Sequence, residues 1–183
     1  MTYTLRVMMV ILKWLLILAL VSGLMVLTFI TFMNMTNIAV LVNDGMDMRA
    51  EVVFGLEGQE ELFKFFTGNC ISADSMLTSN VYTDYDIKTF TSMVEMDKLT
   101  TMPWSDSASV MLTYTIPAIE GSLPVALQTP EQLAMPDKIP PPPWQGGKYT
   151  LNLIKVEGQW KIASLTLVES ISPTAPPAIT PPS

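Results

Sequence analysis

The sequence has no histidine, one cysteine and few basic residues, and each shortage excludes a class of site. Without histidine there is no Ser-His-Asp triad, no His-ligated zinc and no imidazole base near neutral pH. One cysteine cannot close an intramolecular disulfide or a Cys-rich metal site. With 10 Lys and Arg against 17 Asp and Glu, the net charge of -7 argues against a nucleic-acid partner. We expect no cofactor and no metal.

A long uncharged run near the N-terminus is the most informative feature of the 183-residue chain. Trp14 to Met33 contains 20 residues without a charge, and Val7 to Leu12 extends the apolar run beyond Lys13. A helix of ~20 residues at ~1.5 Å each spans ~30 Å, the thickness of a bilayer's hydrocarbon core. Hydroxyl side chains within the run can bond back to the preceding helical turn. The run predicts a transmembrane helix over residues 7–33, after a short cytoplasmic N-terminus, residues 1–6.

The basic residues around this run predict its orientation. Arg6 and Lys13 lie on its N-terminal side, and the next basic residue is Arg49. The positive-inside rule then places the N-terminus in the cytoplasm and the remainder of the chain outside. A cleavable signal peptide is the alternative, but its apolar core is normally ~7–15 residues long and ends in a small-x-small site. We therefore expect an uncleaved single-pass signal anchor.

The chain beyond the anchor divides by composition. Residues 34–56 form a connector, in which 46–56 suits either a helix or a strand. Residues 57–170 form an extracytoplasmic domain that begins with a helix after Gly58 and a second short helix from about Ser72. Residues 171–183 are rich in proline and predict a disordered tail.

Period-two patterns then predict at least four strands. These strands are Ile87 to about Leu99, Ser109–Ile116 (ended by Pro117), Lys148–Val156 and Trp160–Val168. Gly158 supplies the positive φ of a tight turn, in a register that places Leu153 opposite Ile162 and Lys155 opposite Trp160. Because the apolar face changes along the last strand pair, we expect either a bulge or a sheet covered on both sides. Helices followed by antiparallel strands predict an α+β fold, with helices packed on a curved sheet as a cone-like domain.

A proline-rich loop interrupts the strands over residues 117–148. It holds eight of the 14 prolines, including the run Pro140, Pro141, Pro142 and Pro143 before Trp144. Such a run favours an extended polyproline helix, which partner proteins bind in aromatic grooves. It also suits a strap across the sheet in which Trp144 is an intramolecular anchor.

The closing segment GGKYTLNLIKVEGQWKIASLTLVE resembles the last hairpin of the nuclear transport factor 2-like superfamily. One branch of that superfamily holds its domain outside a bacterial inner membrane on one N-terminal helix, as scaffold proteins of type IV secretion and conjugation machines. The resemblance implies a single-pass protein of a bacterial inner membrane, a scaffold that contacts other envelope proteins or itself. Enzymes of the superfamily use acids and tyrosines in a pocket between sheet and helices, but none of their local motifs is present here.

Two hypotheses about function follow. The first is a non-catalytic scaffold or protein-binding domain tethered to the bilayer. The alternative is a small-molecule-binding or isomerase-like domain whose pocket residues are Tyr82, Asp84, Tyr85, Tyr114 and Trp160, where an acid moves a proton and a tyrosine holds an oxyanion. Cys70 is interpreted as a small apolar residue at a helix end, with a disulfide-linked dimer as the alternative.

Overall fold

A computed structural model describes residues 2–133 and 139–172. The elements in chain order are α1 (Thr2–Val53), a 3-10 helix (Gln59–Lys64), α2 (Gly68–Ala73), β1 (Asp86–Thr101), β2 (Ser107–Ser122), a 3-10 helix (Val125–Leu127), α3 (Pro130–Leu133), β3 (Gly146–Val156) and β4 (Gln159–Ile171). The four strands form one antiparallel sheet in the order β1-β2-β3-β4. The predicted α+β class is confirmed. The predicted tail beyond Ser172 lies outside the described residues.

Residues 7–30 of α1 are predominantly apolar, and all of them are exposed. Within the described residues they belong to the one helix that is long and apolar enough to cross a membrane. Thr28 and Thr31 donate their hydroxyl hydrogens to the carbonyl oxygens of Leu24 and Leu27, at 2.9 and 2.8 Å. This satisfies the hydroxyl groups without water, as we predicted for the uncharged run.

The C-terminal part of α1 belongs to the core of the domain. Every fourth side chain from Ile38 through Val42 and Met46 to Ala50 is fully buried, so the ambiguous segment 46–56 is helical as far as Val53. Gly55, two residues beyond the end of α1, turns the chain away from the helix with a φ of 73°, which is accessible to glycine at little cost. Backbone bonds from Gly55 to Val52 and from Leu56 to Glu51 complete a Schellman motif.

The second short helix starts four residues before the predicted position. Thr67 caps α2 by accepting the backbone N–H of Cys70 at 3.4 Å, and the helix ends at Ala73. A helix that starts near Ser72 would contain Met76 and Leu77, but these residues follow α2 in a turn. The difference arises because Asp74 adopts an extended backbone and its carboxylate accepts the N–H of Met76 at 3.0 Å.

The last two strands confirm the predicted hairpin register. Leu153 pairs with Ile162 and Lys155 with Trp160, and the turn glycine, Gly158, has a φ of 81°. The predicted change of apolar face arises from a bulge in β4. Asn152 pairs with Ser164 and Leu153 with Ile162, which leaves Ala163 as the extra residue.

The prediction that Pro117 ends its strand is wrong, because β2 continues to Ser122. Pro117 lies at an irregularity where Thr115 pairs with Met93 and Ala118 with Thr91. A residue inside a bulge need not donate to the ladder, so the missing N–H of proline costs no inter-strand bond there.

The two ends of the sheet have different surroundings. At one end, the β1–β2 turn contacts α1, because the side-chain amide of Asn34 donates to the carbonyl oxygen of Pro103 at 3.4 Å. The β3–β4 turn lies at the same end, where Lys155 N–H donates to Asp106 O at 2.9 Å. We call this the near end, since Asn34 follows the uncharged run. The far end holds the start of β1 and the ends of β2 and β4.

Replacing Gly158 by alanine should lower the free energy of unfolding by about 1 kcal/mol, since a Cβ is unfavourable at positive φ. No atom lies within 4 Å of the position that this Cβ would take, so the cost is conformational rather than steric. Urea unfolding of the full chain in detergent micelles measures it. Gly158→Asn is the matched control, because asparagine tolerates this backbone. Equal losses for both variants would contradict the explanation.

Candidate functional site

An aromatic cluster fills the space between α1 and the sheet at the far end. Its centre is Trp144, which is 2% exposed. The ring centre of Trp144 lies 5.5 Å from that of Phe54, 6.1 Å from that of Tyr82 and 6.0 Å from that of Tyr114. The part of the proline-rich segment that immediately precedes β3, residues 139–145, therefore packs onto the fold as a strap with Trp144 as its internal anchor, which is the second of the two arrangements expected for it.

A buried ion pair joins α1 to the end of α2 beside this cluster. Arg49 Nε lies 2.5 Å from Asp74 Oδ2, and Arg49 Nη2 donates to Asp74 Oδ1 at 2.9 Å. Burial alone would lower the pKa of Arg49, but the hydrogen bonds and negative charge of Asp74 outweigh it and raise that pKa. The guanidinium carbon also lies 5.8 Å from the centre of the Trp144 ring. The pair therefore connects α1, α2 and the strap.

Tyr114 is fully buried and serves a structural hydrogen bond. Its hydroxyl donates to the carbonyl oxygen of Met46 at 3.1 Å. Burial raises its pKa above that of an exposed phenol, so the hydroxyl remains protonated and acts as a donor. This bond ties β2 to α1 beneath the aromatic cluster.

The predicted pocket residues occupy three separate environments. Tyr82 and Tyr114 meet around Trp144, whereas Asp84 is exposed and Tyr85 half-buried in the segment before β1. Trp160 is buried near the opposite end of the sheet, where Lys155 Nζ lies 4.8 Å from its ring centre. The structure thus brings two tyrosines together without placing Asp84 or Trp160 beside them.

A cleft of about 610 Å³ lies at the far end, between the proline strap and the last part of β2. No charged side chain lines it. Its lining residues are Met93, Thr115, Ile116, Pro117, Ala118, Ile119, Pro140, Pro141, Pro143, Trp144, Gly146, Ile171 and Ser172. Trp144 contributes a buried indole N–H that has no acceptor among the described residues.

The cleft runs along the edge of β2 that faces away from β1, in the part of the strand that has no β3 partner. Pairing between β2 and β3 stops at Tyr114 and Gly147, although β2 continues to Ser122. On this side the strap forms a backbone bond to the chain just after β2, from Leu123 N–H to Ile139 O at 3.0 Å. Proline has no N–H, so the four consecutive prolines cannot donate to the β2 edge.

A smaller polar cleft of about 350 Å³ lies between α1 and β1. Asp47, Glu51 and Lys88 contribute to its lining, and Ser92 Oγ donates to Asp47 Oδ1 at 2.5 Å. Burial, followed by the charges of Glu57 and Asp47, raises the pKa of Glu51. No group of three potential metal ligands occurs in residues 2–133 or 139–172.

Comparison of the chain with protein families, curated proteins and solved structures finds no match in any of the three. Sequence reasoning missed Arg49 and Asp74, which are 25 residues apart, and it missed the far-end cleft. One signal in the sequence could have identified Arg49. This lone cation comes three residues after Met46 and therefore lies on the same face of the helix as the apolar stripe.

Replacing Asp74 by asparagine should lower the free energy of unfolding by about 3 kcal/mol, because Arg49 would remain buried without its counterion. Urea unfolding in micelles provides the measurement. Glu169→Gln is the matched control, since Glu169 pairs with Lys148 at 3.3 Å on an exposed surface and its loss should change stability little. The role of the buried pair is refuted if both variants unfold at the same urea concentration.

Cys70 should resist both alkylation and disulfide formation in the folded protein. It is buried, and burial together with the charge of Asp74 raises the pKa of its thiol to about 11. A pKa two units above its usual value leaves about a hundredfold less thiolate at neutral pH. Mass spectrometry after maleimide treatment should find the folded chain unmodified and the urea-unfolded chain labelled. A disulfide-linked dimer on a non-reducing gel would show that the thiol is accessible.

Proposed function

We propose that this chain is a single-pass protein of a bacterial inner membrane whose extracytoplasmic domain is a non-catalytic protein-binding scaffold. The observation that carries the proposal is the far-end cleft, which is uncharged and runs along an unpaired edge of β2. The interior where an isomerase-like pocket would lie is occupied by Trp144 and its aromatic neighbours.

Residues 7–33 of α1 are the proposed anchor. Arg6 and Lys13 precede the uncharged run, which supports a cytoplasmic N-terminus. All 17 acidic residues follow it, so the outer domain stays soluble and repels anionic lipid. Confinement to the membrane plane raises the effective concentration of the domain for neighbouring envelope proteins.

The proposed occupant of the far-end cleft is an extended, uncharged segment of another envelope protein. A strand added beside β2 would form backbone hydrogen bonds where β3 is absent, between Thr115 and Ser122. A backbone carbonyl of that segment is the kind of acceptor that the buried Trp144 indole lacks. Charged side chains would lose hydration against this lining without gaining a partner.

The resemblance to membrane-anchored scaffolds of the nuclear transport factor 2-like superfamily agrees with this proposal. Its support is the order of elements, in which helices precede an antiparallel sheet that closes with a tight hairpin. The superfamily and the machine that the scaffold serves both remain part of the proposal.

The volume of the far-end cleft favours one alternative function. About 610 Å³ is within the range of sites for small molecules. The cleft has hydroxyl groups at Thr115 and Ser172 but no carboxylate, so it suits an apolar ligand without acid–base chemistry. Native mass spectrometry of the purified chain would reveal such a ligand as a retained small mass.

A photo-crosslinking amino acid at Ile119 should capture a protein partner in intact bacterial membranes. Ile119 lines the far-end cleft, and Val125 is the control position, because it is exposed nearby but outside the lining. We expect the crosslink to map to an extended, uncharged segment of an envelope protein. Crosslinks to a second copy of the chain would instead indicate self-association, and equal yields at both positions would contradict specific docking.

Filling the cleft provides the complementary test. Ala118→Trp should abolish the Ile119 crosslink, because its indole would occupy the space of the incoming segment. Val125→Trp adds the same side chain outside the cleft and should leave the yield unchanged. Circular dichroism of both variants verifies that the domain is folded. A crosslink that persists in folded Ala118→Trp would place the partner elsewhere.

A further inference from the structure

We propose that the β1–β2 turn, Met102–Asp106, lies in the lipid headgroup region beside α1, so that the domain contacts the bilayer at a second point. The occupant of this surface is the lipid itself. The inference rests on the proposed membrane span, but it is independent of what binds the far-end cleft.

The position of the turn is fixed by its contact with α1. Asn34 follows Met33, the last residue of the uncharged run, and donates its side-chain N–H to the carbonyl oxygen of Pro103. A span whose apolar run ends at Met33 places Asn34 at the boundary between hydrocarbon and headgroups. The turn therefore lies at that same depth.

The side chains of the turn suit this depth. Trp104 is 75% exposed and Met102 55% exposed, although the domain buries its other two tryptophans, Trp144 and Trp160, almost completely. Tryptophan is enriched at membrane interfaces, because its ring is apolar while its indole N–H can bond to water or headgroups. An interfacial position thus gives the exposed ring of Trp104 apolar surroundings, which it would lack in water.

The neighbouring β3–β4 hairpin extends the apolar surface of the near end. Ile154 and Val156 are both partly exposed close to its turn. Lys155 holds this hairpin to the first turn through its backbone bond to Asp106, and its ammonium lies 3.8 Å from the Asp106 carboxylate. The two opposite charges are close together, and Glu157 in the β3–β4 turn is exposed, so the surface favours zwitterionic over anionic lipid.

Contact with lipid at the turn would orient the domain. A single helix allows a domain to tilt and rotate at the membrane surface, whereas a second contact beside it restricts both motions. The sheet then directs its far end away from the bilayer, because β2 runs from Ser107 at the near end to Ser122 at the far end. The far-end cleft is thereby presented to proteins rather than to lipid.

Site-specific fluorescence in lipid-only vesicles tests the proposal. In the full chain with Cys70→Ala, an environment-sensitive dye is attached to Met102→Cys or, as control, to Val125→Cys. Val125 is exposed at the far end. In phosphatidylcholine vesicles that contain a spin label near the headgroups, the dye at 102 should be quenched severalfold more strongly than at 125. Equal quenching at the two positions in vesicle-bound protein would overturn the proposal.

Variants of Trp104 identify the side chain responsible. Trp104→Glu should remove the excess quenching at position 102, because a carboxylate avoids the interface, whereas Trp104→Phe should retain much of it. Unfolding in urea verifies that each variant has a folded domain. Excess quenching that survives in folded Trp104→Glu would show that the turn does not bind lipid through this residue.

The design separates failure of this proposal from failure of the proposed function. The vesicles contain no protein partner, so docking at the far-end cleft does not affect the signal. Vesicle flotation after carbonate treatment tests the span directly. Loss of the protein from the vesicles would overturn both the proposed anchor and the proposed lipid contact of the β1–β2 turn. Protein that floats but shows equal quenching at 102 and 125 would overturn only the proposed lipid contact of the β1–β2 turn.

Discussion

The structure depends on one helix, α1, whose two halves have different surroundings. Residues 7–30 expose apolar side chains on every side, which is tolerable in lipid but not in water. From Ile38 onward the same helix buries one stripe against the sheet, and only Val40, Asn43 and Asp44 are exposed between Ile38 and Val53. Because the backbone is helical without interruption to Val53, the proposed span and the domain core are joined without a flexible linker. The orientation of the domain is thus coupled to that of the span.

The C-terminal part of α1 is held by contacts from segments that are distant in the sequence. Arg49 reaches Asp74 beyond α2, Tyr114 reaches the Met46 carbonyl from β2, and Trp144 closes the cluster from the strap. A buried ion pair adds little net stability, but it penalises any packing that leaves one partner alone. We infer that its contribution is specificity, since it selects a single arrangement of α1, α2 and the strap.

Local patterns predicted the parts of this fold that local forces determine. The uncharged run, the positive φ of Gly158 and the pairing of Leu153 with Ile162 depend on neighbouring residues, and all three agree with the structure. The extension of β2 past Pro117 depends on a bulge opposite β1, which strand propensity does not encode. The Arg49–Asp74 pair and the burial of Trp144 require contacts between segments far apart in sequence. Because of these long-range contacts the interior is filled, whereas the tyrosines and acids in the sequence had suggested an open pocket.

The same long-range contacts determine which surfaces remain available for binding. Because Trp144 and its neighbours occupy the interior, apolar surface stays accessible mainly at the two ends of the sheet. The near end exposes Trp104 beside Asn34, where the span would leave the bilayer, and the far end exposes an uncharged cleft along β2. The part of β2 from Ser107 to Thr115, where the lining of the cleft begins, separates the two surfaces by roughly 25 Å at ~3.3 Å per residue. Contact with lipid at one end and with protein at the other can therefore occur together without steric conflict.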